Sequence, residues 1–325
     1  LTEKPAYLIH DVPFYRKQQR IALRNNGRID PENILHSIAV GGYRALEKAL
    51  SKMTPQQVLA EVKAANLRGR GGAGFPAGVK WEHTMKAPDP VKLVIANGDE
   101  GDPGAFMDRS IMEGDPHSLL EGMMICAYAI GAQKGIIYVR HEYPLAVRHL
   151  TTAIRQASDL GILGSNILGS GFNFTVQVRE GAGAFVCGEE TALIASLEGK
   201  RGTPRVKPPF PAQAGLYGKP TTINNTETLS SVPAIMRNGG QWFGDLGIPN
   251  SGGVKLFSVS GHVNKPGNFE ISMGTPTPTT SSTASCIRPL RCQVLTATRS
   301  APAAAANRIS ILAFRTALRT SCSFP

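Results

Sequence analysis

Four short segments carry the residues able to do chemistry in this 325-residue chain. The first is LRGRGGAGFPAGVKW, residues 67–81. Gly69, Gly71, Gly72 and Gly74 let backbone amides approach a ligand without Cβ obstruction. Arg68, Arg70 and Lys80 add positive charge, and Phe75 offers a face for a flat ring. Residues 69–74 fit the G-x-G-x-x-G pattern, but a dinucleotide turn follows a strand and opens a helix. This one follows a helix, and Pro76 disfavours an immediate helix through Phe75. A flexible surface loop is the plainer alternative, against which Phe75 and Trp81 argue.

The second segment is Asn97-Gly98-Asp99-Glu100. Two adjacent carboxylates at a strand end repel phosphate and suit sugar hydroxyls or ring N–H groups, where a carboxylate accepts. Taken alone, the segment reads as a turn with solvated acids. The third is GAGAFVCGEET, residues 181–191, where Gly188 and Glu189 open a helix whose first amides favour an acceptor, with Glu190 following. Cys187 has no basic partner nearby in sequence and reads as packing. The fourth is TTINNTET, residues 221–228, in which helix capping accounts for only one of Asn224, Asn225 and Thr226. Together the four segments imply a large ligand touched from several sides. Without a catalytic triad, a His cluster or a Cys-x-x-Cys pair, that ligand must bring the chemistry itself.

These segments need a scaffold. Residues 32–52 read as one or two helices. Thr54, Pro55 and Gln57 form a capping box for the next, with Val58, Leu59, Val62 and Ala65 inward and Gly69 as its end. Val91–Ala96 reads as a buried strand, 117–132 as a helix, 135–140 as a strand and 144–160 as a helix with Leu145, Val147, Leu150 and Ile154 inward. Residues 172–178 alternate as a strand, and 189–197 return to helix. This order implies an α/β fold with a Rossmann-like parallel sheet, which binds ligands at the carboxyl ends of its strands. Residues 254–271 read as a hairpin around Asn264-Lys265-Pro266-Gly267, opening a β-rich unit.

Composition sets bounds. The formal charge of +11 leans on six arginines within residues 277–325, and no basic stripe interleaved with aromatics is present, so nucleic acid is not expected as a partner. No run of about 18 apolar residues predicts a membrane span. Five irregularly spaced cysteines do not form a secreted disulfide framework, which points to a reducing cytosolic setting. The chain begins LTEKPAYLIH, with neither a signal pattern nor an initiator Met, so natural first residues are expected to be missing. Residues 277–325 hold none of the 35 glycines, and Thr, Ser and Ala dominate them. They read either as a disordered tail or as translation in a wrong reading frame. Either way they lack turn residues to complete the β-rich unit, whose apolar face is expected to stay partly uncovered.

Read together, LRGRGGAGFPAGVKW, NGDEGDPGAFMDRS, GAGAFVCGEETALIASLEGKRGTPRVKPPFPA and TTINNTETL resemble the NADH-binding flavoprotein subunit of respiratory complex I. They are equally similar to diaphorase subunits of NAD(P)-linked hydrogenases and formate dehydrogenases. The resemblance spans about residues 14–275. It implies hydride transfer from NAD(P)H to FMN, then single electrons to an iron–sulfur cluster. It places Gly69, Lys80, Asn97, Asp99, Glu100, Gly188, Glu189, Glu190, Asn224, Asn225 and Thr226 around FMN, with Arg70, Gly71, Gly72 and Gly74 in the same loop. Phe75, Phe185 and Phe210 would border the nicotinamide dinucleotide. The implied organisation is a helical region at 1–66, an FMN- and NAD(P)H-binding domain at 67–245, the start of a ubiquitin-like domain at 246–276 and the tail at 277–325. Implied partners are a thioredoxin-like 2Fe–2S subunit and iron–sulfur or hydrogenase catalytic subunits, in a complex at the membrane periphery. Gly98 and His83 depart from the family pattern, which usually has Ala and an aromatic there. The family's 4Fe–4S cluster has no counterpart ligands, because Cys286, Cys292 and Cys322 have the wrong spacing. A competing reading is an inactive, partner-binding remnant that keeps the flavin motifs and lacks the electron exit.

Overall fold

The computed structural model describes residues 12–260 and 266–275. The tail, its two readings and its three cysteines lie outside the described residues, as do residues 261–265, which include the first half of the predicted turn.

Three helices come first: α1 (Ile34–Ala39), α2 (Arg44–Lys52) and α3 (Pro55–Ala64). The capping box forms as its residues dictate, with Thr54 Oγ1 accepting from the Gln57 amide and Gln57 Oε1 from the Thr54 amide. The helix ends at Ala64, before Gly69, because Asn66 turns into the left-handed region with φ 46°. Then come α4 (Ala77–Lys86), β1 (Leu93–Gly98), α5 (Met107–Gly114), α6 (Pro116–Ile130), β2 (Lys134–Arg140), α7 (Pro144–Asp159), β3 (Thr175–Gly181), α8 (Glu190–Leu197) and the single turn α9 (Pro211–Ala214). The chain continues with β4 (Thr221–Asn225), α10 (Thr226–Asn238), α11 (Gly240–Asp245) and the hairpin β5 (Val254–Val259) and β6 (Gly267–Ser272).

The main sheet is fully parallel with order β3-β2-β1-β4. Alternation along β1 serves two cores. Val94 and Ala96 enter the larger one with α2, α3, α4, α6, α7 and α10, while Leu93 and Ile95 face α8. Helix α6 is buried on nearly every side, and it approaches α10 so closely that a Cβ on Gly122 would lie 2.0 Å from the Leu229 carbonyl oxygen. The N-terminal helices therefore share one core with the sheet.

Three sequence expectations shift. Strand β3 begins at Thr175 because Phe172 and Phe174 turn inward and stack, and it runs on into Gly181. Helix α7 buries Ala146, His149, Leu150, Ala153 and Ala157, with Leu145 exposed, since small residues let it lie close on the sheet. Strand β4, too polar to be read as a strand, pairs beside β1 with Thr221, Thr222 and Asn224 buried.

The hairpin buries Val254, Leu256, Ser258 and Glu270 on one face against residues 22–23 and α5. Its other face carries Phe257, Phe269 and Ile271 half-buried. Glu270 accepts from the Ala22 and Leu23 amides at 2.8 and 3.0 Å. Among the described residues no helix is long and apolar enough to cross a membrane.

Candidate functional site

The chain runs from β1 outward to β3, then returns to the far side of β1 for β4. That reversal opens a crevice at the carboxyl ends of β1 and β4, where parallel sheets take ligands. The register is strict: Ala96 pairs with Asn224 and Asn97 with Asn225. Two asparagines thus flank the crevice side by side.

The glycine loop reaches this point from α3. Gly69 donates to the Phe75 carbonyl and Ala77 to the Leu67 carbonyl, so residues 67–77 form a closed loop. Helix α4 starts directly after Pro76, contrary to the sequence expectation, because the proline restriction falls on Phe75 rather than on Ala77. The loop lies against β4: a Cβ on Gly71 would sit 3.1 Å from Asn225 Cβ. Gly72 and Gly74 adopt φ of 117° and 64°, open to glycine, with free space around them. The Arg70 amide donates to Thr228 Oγ1 at 2.9 Å. Its guanidinium is buried and donates to the Gly252 and Arg68 carbonyls, so the side chain anchors the loop.

The adjacent carboxylates part company. Glu100 accepts from the Met107, Asp108 and Arg109 amides and so caps α5; burial raises its carboxyl against those bonds. Asp99 is buried with neither carboxylate oxygen hydrogen-bonded, and burial, partly offset by Arg140, pushes its carboxyl up to about 6. Arg140 has a buried Nη1 without a partner, and a Cβ on Gly101 would lie 3.1 Å from it. Asp99 also faces Gly188, where a Cβ would stand 3.6 Å from Oδ2. Asn97 joins the same corner, its Nδ2 donating to the Gly188 carbonyl at 3.0 Å.

Glu189 is the N-cap of α8 and takes the Thr191 and Ala192 amides itself. Those amides are therefore satisfied internally, and the expectation that they serve an outside acceptor does not hold. Beside it, Lys80 Nζ donates to Glu190 Oε2 and the Ile223 carbonyl, both at 3.0 Å. Lys207 Nζ reaches Glu190 Oε1 at 2.7 Å and Glu189 Oε1 at 3.2 Å. Burial opposes the Glu190 charge, but Lys80 and Lys207 outweigh it and hold the carboxyl below its ordinary range. On β4, Asn224 Oδ1 accepts from Trp81 Nε1 at 2.8 Å. Asn225 caps α10 through the Thr228 amide, and the buried Thr226 hydroxyl hydrogen-bonds Asp108.

Phe75, Phe185 and Phe210 are 47%, 67% and 53% exposed, unusual for rings on ordered loops and suited to a planar ligand. Gly101 brings Phe185 into the Asp99 corner, where a Cβ would meet its ring at 2.7 Å. Reasoning from sequence overlooked Arg140 and Lys207. Position at the end of a strand was a signal for Arg140, and two carboxylates needing a cation was one for Lys207. Among the described residues no cluster of His, Cys, Asp and Glu is arranged to hold a metal ion.

An α/β domain with a polar, glycine-lined crevice at its strand reversal defines a nucleotide- or flavin-binding class of protein. The family profile described as Nuo51 FMN-binding domain matches residues 62–234, and the chain belongs to that family. It is 54% identical over 259 residues to the NADP-reducing hydrogenase subunit HndC of Solidesulfovibrio fructosivorans, covering 80% of this chain and 52% of that one. It is 54% identical over 254 residues to a subunit of the NADH-quinone oxidoreductase of Rhizobium meliloti (strain 1021), covering 78% and 60%. A crystal structure of an NAD+-reducing NiFe hydrogenase in the H2-reduced state superposes with TM-score 0.67 at 41% identity, covering 78% of this chain and 41% of that one. The chain thus spans about half the length of the curated relatives it matches.

Proposed function

We propose that this chain is the NAD(P)H-oxidising flavoprotein part of a multisubunit dehydrogenase or hydrogenase, holding FMN across the ends of β1 and β4. FMN, when bound, supplies the hydride acceptor and the one-electron donor in a single group. The observation that carries the reading is Asp99: both of its oxygens are buried and unpartnered beside Asn97 and Gly188, in the crevice at the strand reversal. A buried carboxylate left in that state needs an outside donor. Arg140 Nη1, at the end of β2, supplies one more unmet partner. The residues fit FMN in chemistry: Asp99 accepts from hydroxyl or ring N–H, Asn97 and Asn225 offer amide groups, and the cradle at Gly71 and Gly72 admits close backbone approach.

The residues then have distinct tasks. Lys80 and Lys207 keep Glu190 ionised beside the crevice. The exposed rings of Phe75, Phe185 and Phe210 hold the nicotinamide dinucleotide flat and exclude water from it. In this reading residues 67–245 form the flavin unit, 1–66 buttress it, and 246–276 open a ubiquitin-like unit. Electrons leave to iron–sulfur partners, a thioredoxin-like 2Fe–2S subunit among them, in a complex at the membrane periphery.

The test is titration of flavin-free protein with FMN, followed by fluorescence quenching, then anaerobic addition of NADH or NADPH. Saturable binding, bleaching of the flavin absorbance and turnover with ferricyanide are expected. A protein that binds no FMN, or binds it and resists bleaching by both nucleotides, overturns the proposal.

A further inference from the structure

Behind the crevice lies a sealed group of charges that the flavin reading leaves unused. Glu227 and Lys255 pair at 3.0 Å, both almost fully buried. Glu227 Oε1 also accepts from the Leu256 amide. Glu100 caps α5, and Asp108, on the first turn of α5, is buried between them. Three carboxylates thus face one ammonium. The other nearby cations look elsewhere: Arg109 donates to Glu113 at 2.8 Å, and Arg70 donates to backbone carbonyls. Glu270 faces Glu227 from β6 and adds further negative charge.

Asp108 is the member of this group that touches the crevice. Its Oδ2 accepts from Asn225 Nδ2 at 2.6 Å. Asn225 Oδ1 accepts from the Thr228 amide at 3.2 Å, so both ends of the Asn225 amide are held. The Thr228 amide holds its acceptor end and Asp108 its donor end, so the two together keep the amide from turning over. One N–H and one lone pair remain free for a ligand. Asp108 Oδ1 has a long contact, 3.4 Å, from the Glu227 amide. The buried Thr226 hydroxyl hydrogen-bonds the Asp108 carboxyl and favours its charged form.

We propose that Asp108 is a positioning residue for bound flavin: it fixes the Asn225 amide across the crevice between β1 and β4. Geometry supplies the argument, and electrostatics agree with it. Burial, then the Glu100 charge, push the Asp108 carboxyl up to about 8, with the Thr226 hydrogen bond and Lys255 only partly compensating. Ionisation of Asp108 adds an anion behind the site. FMN, itself an anion, is then held less firmly.

The inference rests on the flavin reading, and the experiment separates the two. FMN affinity of the full chain is measured by fluorescence titration from pH 6.5 to 9 for wild type, Asp108→Asn and Asp108→Ala, with circular dichroism as a check of folding. Asparagine reproduces the acceptor and donor of a protonated carboxyl. Wild-type affinity should fall as pH rises through about 8, whereas Asp108→Asn should follow a flatter profile near the wild-type low-pH value. Asp108→Ala should bind roughly tenfold more weakly than wild type at pH 6.5, with a flat profile, since the Asn225 amide loses one of its two anchors. An Asp108→Asn profile as steep as wild type, or wild-type affinity in folded Asp108→Ala, overturns the inference. If the alanine variant does not fold, the comparison of wild type with Asp108→Asn decides. Wild type that binds no FMN at any pH sinks the flavin reading itself. Wild type that binds, with variants that titrate identically to it, sinks only the role of Asp108.

Discussion

The crevice at the ends of β1 and β4 and the seam where the β5–β6 hairpin meets α5 and α10 are made of the same residue types. Each has buried carboxylates, a buried or half-buried lysine and polar side chains at strand ends. In the seam, the carboxylates find their partners inside the chain: Glu227 with Lys255 and the Leu256 amide, Glu270 with two backbone amides. In the crevice, Asp99 has both oxygens unmet, Arg140 has an unmet nitrogen, and three phenylalanines stand exposed. Unsatisfied burial is costly, so a fold keeps it where a ligand supplies the missing partner. What marks a site here is therefore the lack of internal partners, and residue type alone does not separate the two regions.

The largest expected effect strikes the seam. Glu227→Ala strands Lys255 as a buried charge and should destabilise the protein by about 3–5 kcal/mol in denaturant unfolding. Replacing both by Met should recover most of that loss. A single variant costing under about 1 kcal/mol would break the contrast, since the seam would then be no better satisfied than the crevice.

Asn225→Ala tests the crevice next. Affinity for FMN should drop by about 1–3 kcal/mol, with about 1 kcal/mol of stability lost with the α10 cap. Unchanged FMN retention in fluorescence titration would remove Asn225 from the site.

A pH experiment sharpens the comparison. The Asp99 carboxyl is raised in the folded protein, from 3.8 to about 6, by burial. A raised carboxyl binds more protons when folded, so its contribution to stability is full below about pH 4 and is lost as pH climbs through about 6. In ligand-free protein, Asp99→Asn should flatten the melting-temperature profile across that window and gain on the order of 1 kcal/mol at pH 8, discounted for partial exposure. Bound FMN should reverse the ranking of the two proteins. A steeper profile in the variant would show that Asp99 has an internal partner after all.

Phe185→Ala should produce the smallest change in stability, within about 0.5 kcal/mol, because the ring is mostly in solvent. Its effect should show instead as weaker NAD(P)H binding by flavin-loaded protein. A large drop in melting temperature with unchanged nucleotide affinity would make Phe185 a packing residue.

The sequence by itself determined the local elements and the segments that converge. Thr54-Pro55-Gln57 specified the start of α3, apolar β-branched runs specified β1 and β2, and the glycine- and carboxylate-rich loops marked strand ends. These are short-range signals, set by capping, periodicity and backbone freedom within a few residues. Tertiary structure decided the rest. Strand β4 is polar in sequence, and only its pairing with β1 makes TTINN a strand and brings Asn225 beside Asn97. Asp99 and Glu100 are neighbours with the same chemistry, yet the amides of α5 satisfy one and leave the other open. Arg70, one of the cations around the glycine loop, turns away to anchor that loop on Gly252, 182 residues later in the chain. Each of these outcomes depends on which partners the folded chain brings within hydrogen-bonding distance. That is a long-range property, which no local pattern of residues encodes.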